Sequence, residues 1–230
     1  MNLNFSGVVI REEPKSETGK LLYVLTENDG IVIISARGAR KISASYLKSA
    51  QLFAYSTFTV YQKNNYNTLT EAQLIENFYN IRNDIFSFSF ASYVCELAQN
   101  MAVPGDGAIL RLVLNTLFAI SKNVAPLKII KAVFEFKLCC MNGYFLKIKQ
   151  GDYFNFDQSE FCDAPIGNNC IKLNSAVKKT LTYISECELS KMLAFTADDT
   201  TIGLLCVFAE KYLLSLAEFT PKTLLFFKSL

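Results

Sequence analysis

Apolar and polar positions alternate along the first third of the chain and then change to a helical period. Residues 5–12 (FSGVVIRE), 21–26 (LLYVLT) and 31–36 (IVIISA) read as short strands, with Asn28-Asp29-Gly30 as a hairpin turn signal. Leu52–Gln62 carries the clearest alternation. Leu52, Ala54, Phe58 and Val60 share one face, with Ser56 as a polar exception, and Phe53, Tyr55, Thr57, Thr59 and Tyr61 share the other. Lys63-Asn64-Asn65 turns the chain, and Tyr66–Asn77 supplies a fifth strand. Five short, tightly connected strands in under 80 residues predict a small closed barrel of the OB type.

Beyond residue 79 the spacing Ile81, Ile85, Phe88, Ser92, Leu97, Met101 predicts a helical face, broken at Pro104-Gly105-Asp106-Gly107. Residues 108–122 and 126–142 read as two further helices, with Pro126 suited to a first turn. Residues 144–172 lose periodicity and predict an irregular lobe. Asn174 or Ser175 caps a helix to about residue 185. Asp198-Asp199-Thr200 precedes a long helix striped by Ile202, Leu205, Ala209, Tyr212, Leu213 and Leu216. The expected architecture is α+β: a five-stranded OB-type barrel over residues 1–79, then a helical domain over 80–230 with the lobe inserted.

Composition narrows the chemistry. With 230 residues, 51% hydrophobic and 19% charged, the chain is an ordinary globular protein. It contains no His, which removes Ser-His-Asp triads and HExxH zinc sites. Its net charge of +2 means that any anion site must come from local clustering. The seven Cys have no CxxC spacing, and Met1-Asn2-Leu3-Asn4 lacks the basic start of a secretory leader. A reducing cytoplasm and free, mostly buried thiols are therefore expected. No apolar run approaches a membrane span, and Leu224–Phe227 reads as a packed patch. Gly19-Lys20 is not a P-loop, because Pro14 and Leu21 fall where the motif needs Gly and Ser/Thr.

Cations supply the candidate chemistry. Ile31–Ile34 runs into Arg37-Gly38-Ala39-Arg40-Lys41, a basic hook in which Gly38 lets the backbone turn. Between Gly30 and Thr70 stand Arg37, Arg40, Lys41, Lys48 and Lys63, with no Asp or Glu. Several cations on one surface suit phosphates, and rings such as Phe53, Tyr55 and Tyr61 suit unstacked bases. An ordinary solvated surface, with the ring face packed on the helical domain, is the alternative. A second basic stretch holds Lys122, Lys128, Lys131, Lys137, Lys147 and Lys149 against the single acid Glu135. Lys128 and Lys131, one turn apart beside Ile129 and Ile130, suit an acidic peptide with an apolar tip, although the wet side of an amphipathic helix more often has this pattern. Cys162 and Cys170, with Asp157 and Asp163 nearby, fall short of two close ligand pairs, so no structural zinc is expected. Cys139-Cys140 read as core thiols.

Glu17-x-x-Lys20-Leu21-Leu22-x-Val24-Leu25-Thr26-x-x-x-Gly30 followed by Ala36-Arg37-Gly38-Ala39-Arg40-Lys41 resembles the N-terminal signature of the RecO family of bacterial recombination mediators. Gln51-Leu52-Phe53, Leu69-Thr70-Glu71-Ala72, Glu76-x-Phe78, Ala91-Ser92-Tyr93, Glu96-Leu97, Phe134-Glu135, Gly143-Tyr144 and Ile171-Lys172-Leu173-Asn174 extend the resemblance over nearly the whole chain. It implies an OB fold joined to a helical domain. It also implies a non-enzymatic DNA-repair protein of the cytoplasm and nucleoid that binds single- and double-stranded DNA. Such a protein anneals complementary strands without a cofactor and helps load RecA. The implied partners are RecR and the acidic C-terminal tail of single-stranded DNA-binding protein. On that reading Arg37, Arg40 and Lys41 neutralise phosphates, helped by Lys20, Lys48 and Lys63, while Tyr55 or Tyr61 stacks bases. Lys128 and Lys131 would meet the partner tail. An adaptor that uses the same fold without DNA contact is the alternative.

Three departures stand out. Many relatives carry a four-cysteine zinc module in the lobe. Here Cys162 matches the start of its second pair, and no first pair stands around Leu146–Asp152. Gly19 occupies the place of a usual Asp, and Ala132 and Val133 stand where some relatives have tail-binding arginines.

Overall fold

The computed structural model describes all residues except 42, 43, 65, 103, 106, 149 and 150. Lys149 of the second basic stretch, and Asn65 and Asp106 of two expected turns, therefore lie outside the described residues.

The N-terminal strands are β1 (Asn2–Pro14), β2 (Lys20–Thr26), β3 (Ile31–Ala36), β4 (Tyr55–Lys63) and β5 (Tyr66–Glu76). They close into a barrel in the order β1-β2-β3-β5-β4, with β4 returning to β1 and β3 lying parallel to β5. This is the five-stranded OB-type barrel. Its interior holds Val9, Leu22, Val24, Ile34, Phe58, Val60 and Leu69, the inward set of the alternating pattern. Ser56, the polar exception on β4, is also fully buried.

The strand begins at Tyr55, not at Leu52, because Phe53 has φ 68°, a left-handed conformation that ends extended structure. Phe53 is fully buried and its ring packs edge-on against Phe88, with centroids 5.5 Å apart. It is a core residue and offers no stacking face to a ligand.

The helices are α1 (Ile85–Met101), α2 (Ala108–Ser121), α3 (Leu127–Met141), α4 (Ser175–Glu186), α5 (Asp199–Leu216) and α6 (Lys222–Ser229). Packing groups Met1–Lys122 with Pro221–Leu230 as one compact unit and Asn123–Thr220 as another. In the first, Asp84 caps α1 by accepting from the Ser87 amide at 2.7 Å. The apolar segment 224–227 lies within α6, which docks on α1 through Phe227 against Phe90, 5.8 Å between centroids. Glu96 accepts from the amides of Lys222 and Thr223 at the start of α6, at 3.0 and 2.9 Å. The buried side of α1 is Phe90, Ala91, Val94, Leu97 and Ala98, whereas Ile85, Phe88 and Ser92 of the expected stripe are exposed or half-buried. A helix this apolar has no single stripe for periodicity to find.

In the second unit α3 is buried without interruption from Ile130 to Cys140. The lobe expected to be irregular contains three strands, β6 (Tyr153–Asn155), β7 (Glu160–Cys162) and β8 (Cys170–Lys172), ordered β7-β6-β8. Three-residue strands are too short to show a period. Phe154 anchors this sheet, with its ring 5.2 Å from Phe156, Phe161 and Phe208 and 5.7 Å from Tyr212. Among the described residues, no helix is long and apolar enough to cross a membrane.

Candidate nucleic-acid interface

The basic hook is a built turn. The last residue of β3, Ala36, pairs with Lys20 at the start of β2, so the hook leaves the barrel beside the β1–β2 loop. The Arg40 amide donates to the Thr18 carbonyl at 3.0 Å, and the Lys41 amide donates to Gly38 at 2.9 Å. Gly38 sits at φ 72°, a conformation that costs a residue with a Cβ. Ala39 is fully buried in the barrel core, so its neighbours Gly38 and Arg40 are held at the surface. The Tyr46 hydroxyl donates to the Arg37 carbonyl, and its ring packs on the same core.

Arg37, Arg40, Lys41, Lys48 and Lys63 are all exposed. Among the described residues, no carboxylate pairs with any of them. Lys20 differs, because its ammonium lies 2.8 Å from Glu12, which offsets its charge. Lys15, which sequence reasoning passed over, reaches from the β1–β2 loop to Ser35 at 3.0 Å.

Cross-strand register separates the remaining candidates. Lys63 opposes Tyr66 across the β4–β5 hairpin. On the parallel strands Ile34 pairs with Asn67, level with the middle of β3, so the hairpin and the hook lie at different heights along that strand. Tyr61 is 47% exposed and opposes Asn2 and Thr68. Tyr55 is half-buried beside Val8 and Glu76. Both rings therefore sit on the outer side of β4.

The second basic stretch does not form one surface. Lys128 is exposed. Lys131 is only 8% exposed, with its ammonium 2.7 Å from both Glu135 and Glu210. Burial pulls its pKa down, but the two carboxylates win and hold it above the ordinary lysine value. Lys137 is also buried and donates to the carbonyls of Ile184, Ser185 and Cys187 at 2.8, 3.0 and 2.7 Å, capping the C-terminus of α4. Apart from Glu135, one turn along α3 from Lys131, these partners lie 47 to 79 residues away, beyond the reach of sequence spacing.

The cysteines are all free, with Cys95, Cys139 and Cys140 buried and the other four partly exposed. Burial pushes the Cys140 thiol up to about 11. Cys162 and Cys170 lie on the two strands flanking β6; desolvation and then the neighbouring Cys170 raise the Cys162 thiol. No group of three or more His, Cys, Asp or Glu gathers among the described residues. Two thiols do not complete the four-ligand set of a structural zinc, and rings fill the inner side of the lobe sheet.

A closed OB barrel with an exposed, carboxylate-free cationic turn defines a protein of the nucleic-acid-binding OB class. Comparison with known proteins is specific. The family described as "Recombination protein O N terminal" matches residues 1–78, and "Recombination protein O C terminal" matches residues 82–221. The chain belongs to the RecO family. It is 28% identical over 244 aligned residues to a DNA repair protein RecO of Acetivibrio thermocellus, covering 99% of this chain and 97% of the relative. With the namesake of Clostridium acetobutylicum it shares 23% identity over 206 residues, 84% of this chain and 83% of the relative. With that of Listeria monocytogenes serotype 4b it shares 31% over 141 residues, 60% and 55% of the two chains.

Proposed function

We propose that this chain is a non-enzymatic recombination mediator in DNA repair, which binds DNA, brings complementary single strands together and helps load RecA. The observation that carries the reading is the hook: Arg37, Arg40 and Lys41, exposed, unpaired with any described carboxylate and held on a rigid barrel. Two complementary strands repel each other through their phosphates. A surface that neutralises several phosphates on each strand lowers that repulsion and leaves base edges free to pair. No bond is made or broken, so no cofactor is required. The family's partners, RecR and the acidic tail of single-stranded DNA-binding protein, belong to the same proposal, as does action in the cytoplasm at the nucleoid. Of Lys128 and Lys131, Lys128 is the one exposed to such a tail. Lys131 contributes to its own unit's packing instead.

The test is annealing of complementary oligonucleotides followed by fluorescence quenching. The wild-type chain should accelerate annealing, and Arg37→Ala/Arg40→Ala/Lys41→Ala should remove most of the acceleration. A wild-type rate equal to that of DNA alone would overturn the proposal.

A further inference from the structure

Exposed apolar side chains on the helices of the first unit gather at one end. Single apolar residues at a surface are ordinary. A group contributed by separate segments is not. The turn Tyr79–Asn83 presents Tyr79, and the first turn of α1 presents Ile85 and Phe86. The last turn of α2 presents Phe118, and the end of α6 presents Phe226 and Leu230. All six are between 44 and 61% exposed.

Hydrogen bonds and ring contacts bring these segments to the same level. The Asn80 side chain donates to the Ser121 carbonyl at 3.3 Å. The end of α2, with Phe118 in its last turn, therefore lies beside the turn that leads into α1. α6 runs antiparallel to α1, because Glu96 holds Lys222 and Thr223 at the start of α6 while Phe90 meets Phe227 farther along. At ~1.5 Å per residue, Leu230 stands about 4.5 Å beyond Phe227 and Phe86 about 6 Å beyond Phe90, so both helices reach the same end. Ile81 and Phe90 of the same segments are fully buried and anchor them in the core.

We propose that this apolar end is a twofold interface with a second copy of the chain. Large side chains carry ~150–250 Å² each, so six of them about half exposed present roughly 500–600 Å² of apolar surface. That is the top of the ~300–600 Å² range for the largest patch on a monomer. It also matches what a homodimer needs: about 800 Å² per partner, of which ~65% is apolar. Four of the six residues are aromatic, the type that anchors interfaces. The rim carries both signs of charge: exposed Asp84 at the start of α1, Lys122 after α2 and Lys228 in the last turn of α6. A copy turned by a twofold axis sets the acid of one against a cation of the other, whereas a partner of a single sign meets a like charge. Joined copies carry two hooks in one particle, one for each DNA strand. That consequence rests on the DNA-binding reading above; the dimer itself does not.

Sedimentation equilibrium of the full chain without DNA tests this. An interface of standard size binds at μM or tighter, so the wild type should be dimeric at ~100 μM. Phe118→Glu and Phe226→Glu, which lie on different helices, should each weaken dimerisation at least about thirtyfold, the loss of one central aromatic anchor. Circular dichroism and thermal melts should show both variants folded, since both side chains are half exposed. Tyr79→Ser lies outside the six α-helices and takes their place where a glutamate unfolds the chain. Val207→Glu, at an exposed apolar position on α5, should dimerise like the wild type, as should the hook triple variant. A wild-type chain that is monomeric at ~100 μM would overturn the proposal. So would a dimer that survives every substitution at this end, or one that Val207→Glu disrupts equally. Because no DNA is present, failure of the DNA-binding reading leaves the result untouched, and a monomer that still anneals DNA defeats the dimer alone.

Discussion

Arg37 and Lys137 start from similar local sequence, each a cation next to apolar residues with few acids nearby, and reach opposite environments. In the barrel unit the cations point outward from a turn whose core anchor is Ala39. In the unit from Asn123 to Thr220 two lysines of α3 point inward, where Lys131 pairs with Glu135 and Glu210 and Lys137 caps α4. A charge cluster in sequence thus has two physical fates. On a turn it is solvated and available to a ligand. On a buried helix it must find partners within the fold, because an uncompensated buried charge costs several kcal/mol.

The comparison can be broken by substitution. Lys131→Met should be the most damaging change, because it leaves Glu135 and Glu210 without their cation; a loss of about 3–5 kcal/mol is expected in urea melts. The sign of its pH dependence follows from the raised pKa. The stabilisation is complete below the unfolded lysine value of about 10.4 and disappears as pH rises through the higher folded value. The gap between wild type and Lys131→Met should therefore close in strongly alkaline solution and stay constant between pH 7 and 9.

Lys137→Met should cost about 2–3 kcal/mol, since three carbonyls at the end of α4 lose a charged donor. Asp84→Ala tests an ordinary surface cap and should cost about 1 kcal/mol in thermal unfolding. Bonds from Ser87 hold the Asp84 carboxyl below its usual value, so this cap contributes above the unfolded carboxylate pKa and is lost as pH falls through the folded one.

The hook triple variant should change stability least, within about 0.5 kcal/mol. It should nevertheless flatten the salt dependence of single-strand binding by about 2 log units per log unit of salt, at ~0.7 for each of three phosphate contacts. A hook variant that unfolds, or a Lys131→Met chain as stable as wild type, would erase the distinction between the two kinds of cation.

The barrel was legible because alternation is a local property: Phe58 and Val60 point inward for the same reason that Thr57 and Thr59 do not. The hook was legible because Gly38 and its flanking cations adjoin in sequence. Phe53 was misplaced on the outer face because alternation was carried three residues beyond the true start of β4, across a left-handed φ that composition does not announce. The lobe strands were missed because three residues hold no period.

The alternation of the barrel strands, the lack of histidine and the basic turn around Gly38 were determined by sequence alone, since each is read from residues within a few positions of one another or from composition. Which cations face water, which rings enter the core and what holds the lobe together were decided by the tertiary structure. Those properties belong to pairs such as Lys131 with Glu210, or Phe154 with Phe208, whose members meet only when distant segments pack. Burial then assigns each charge its cost and each ring its neighbour.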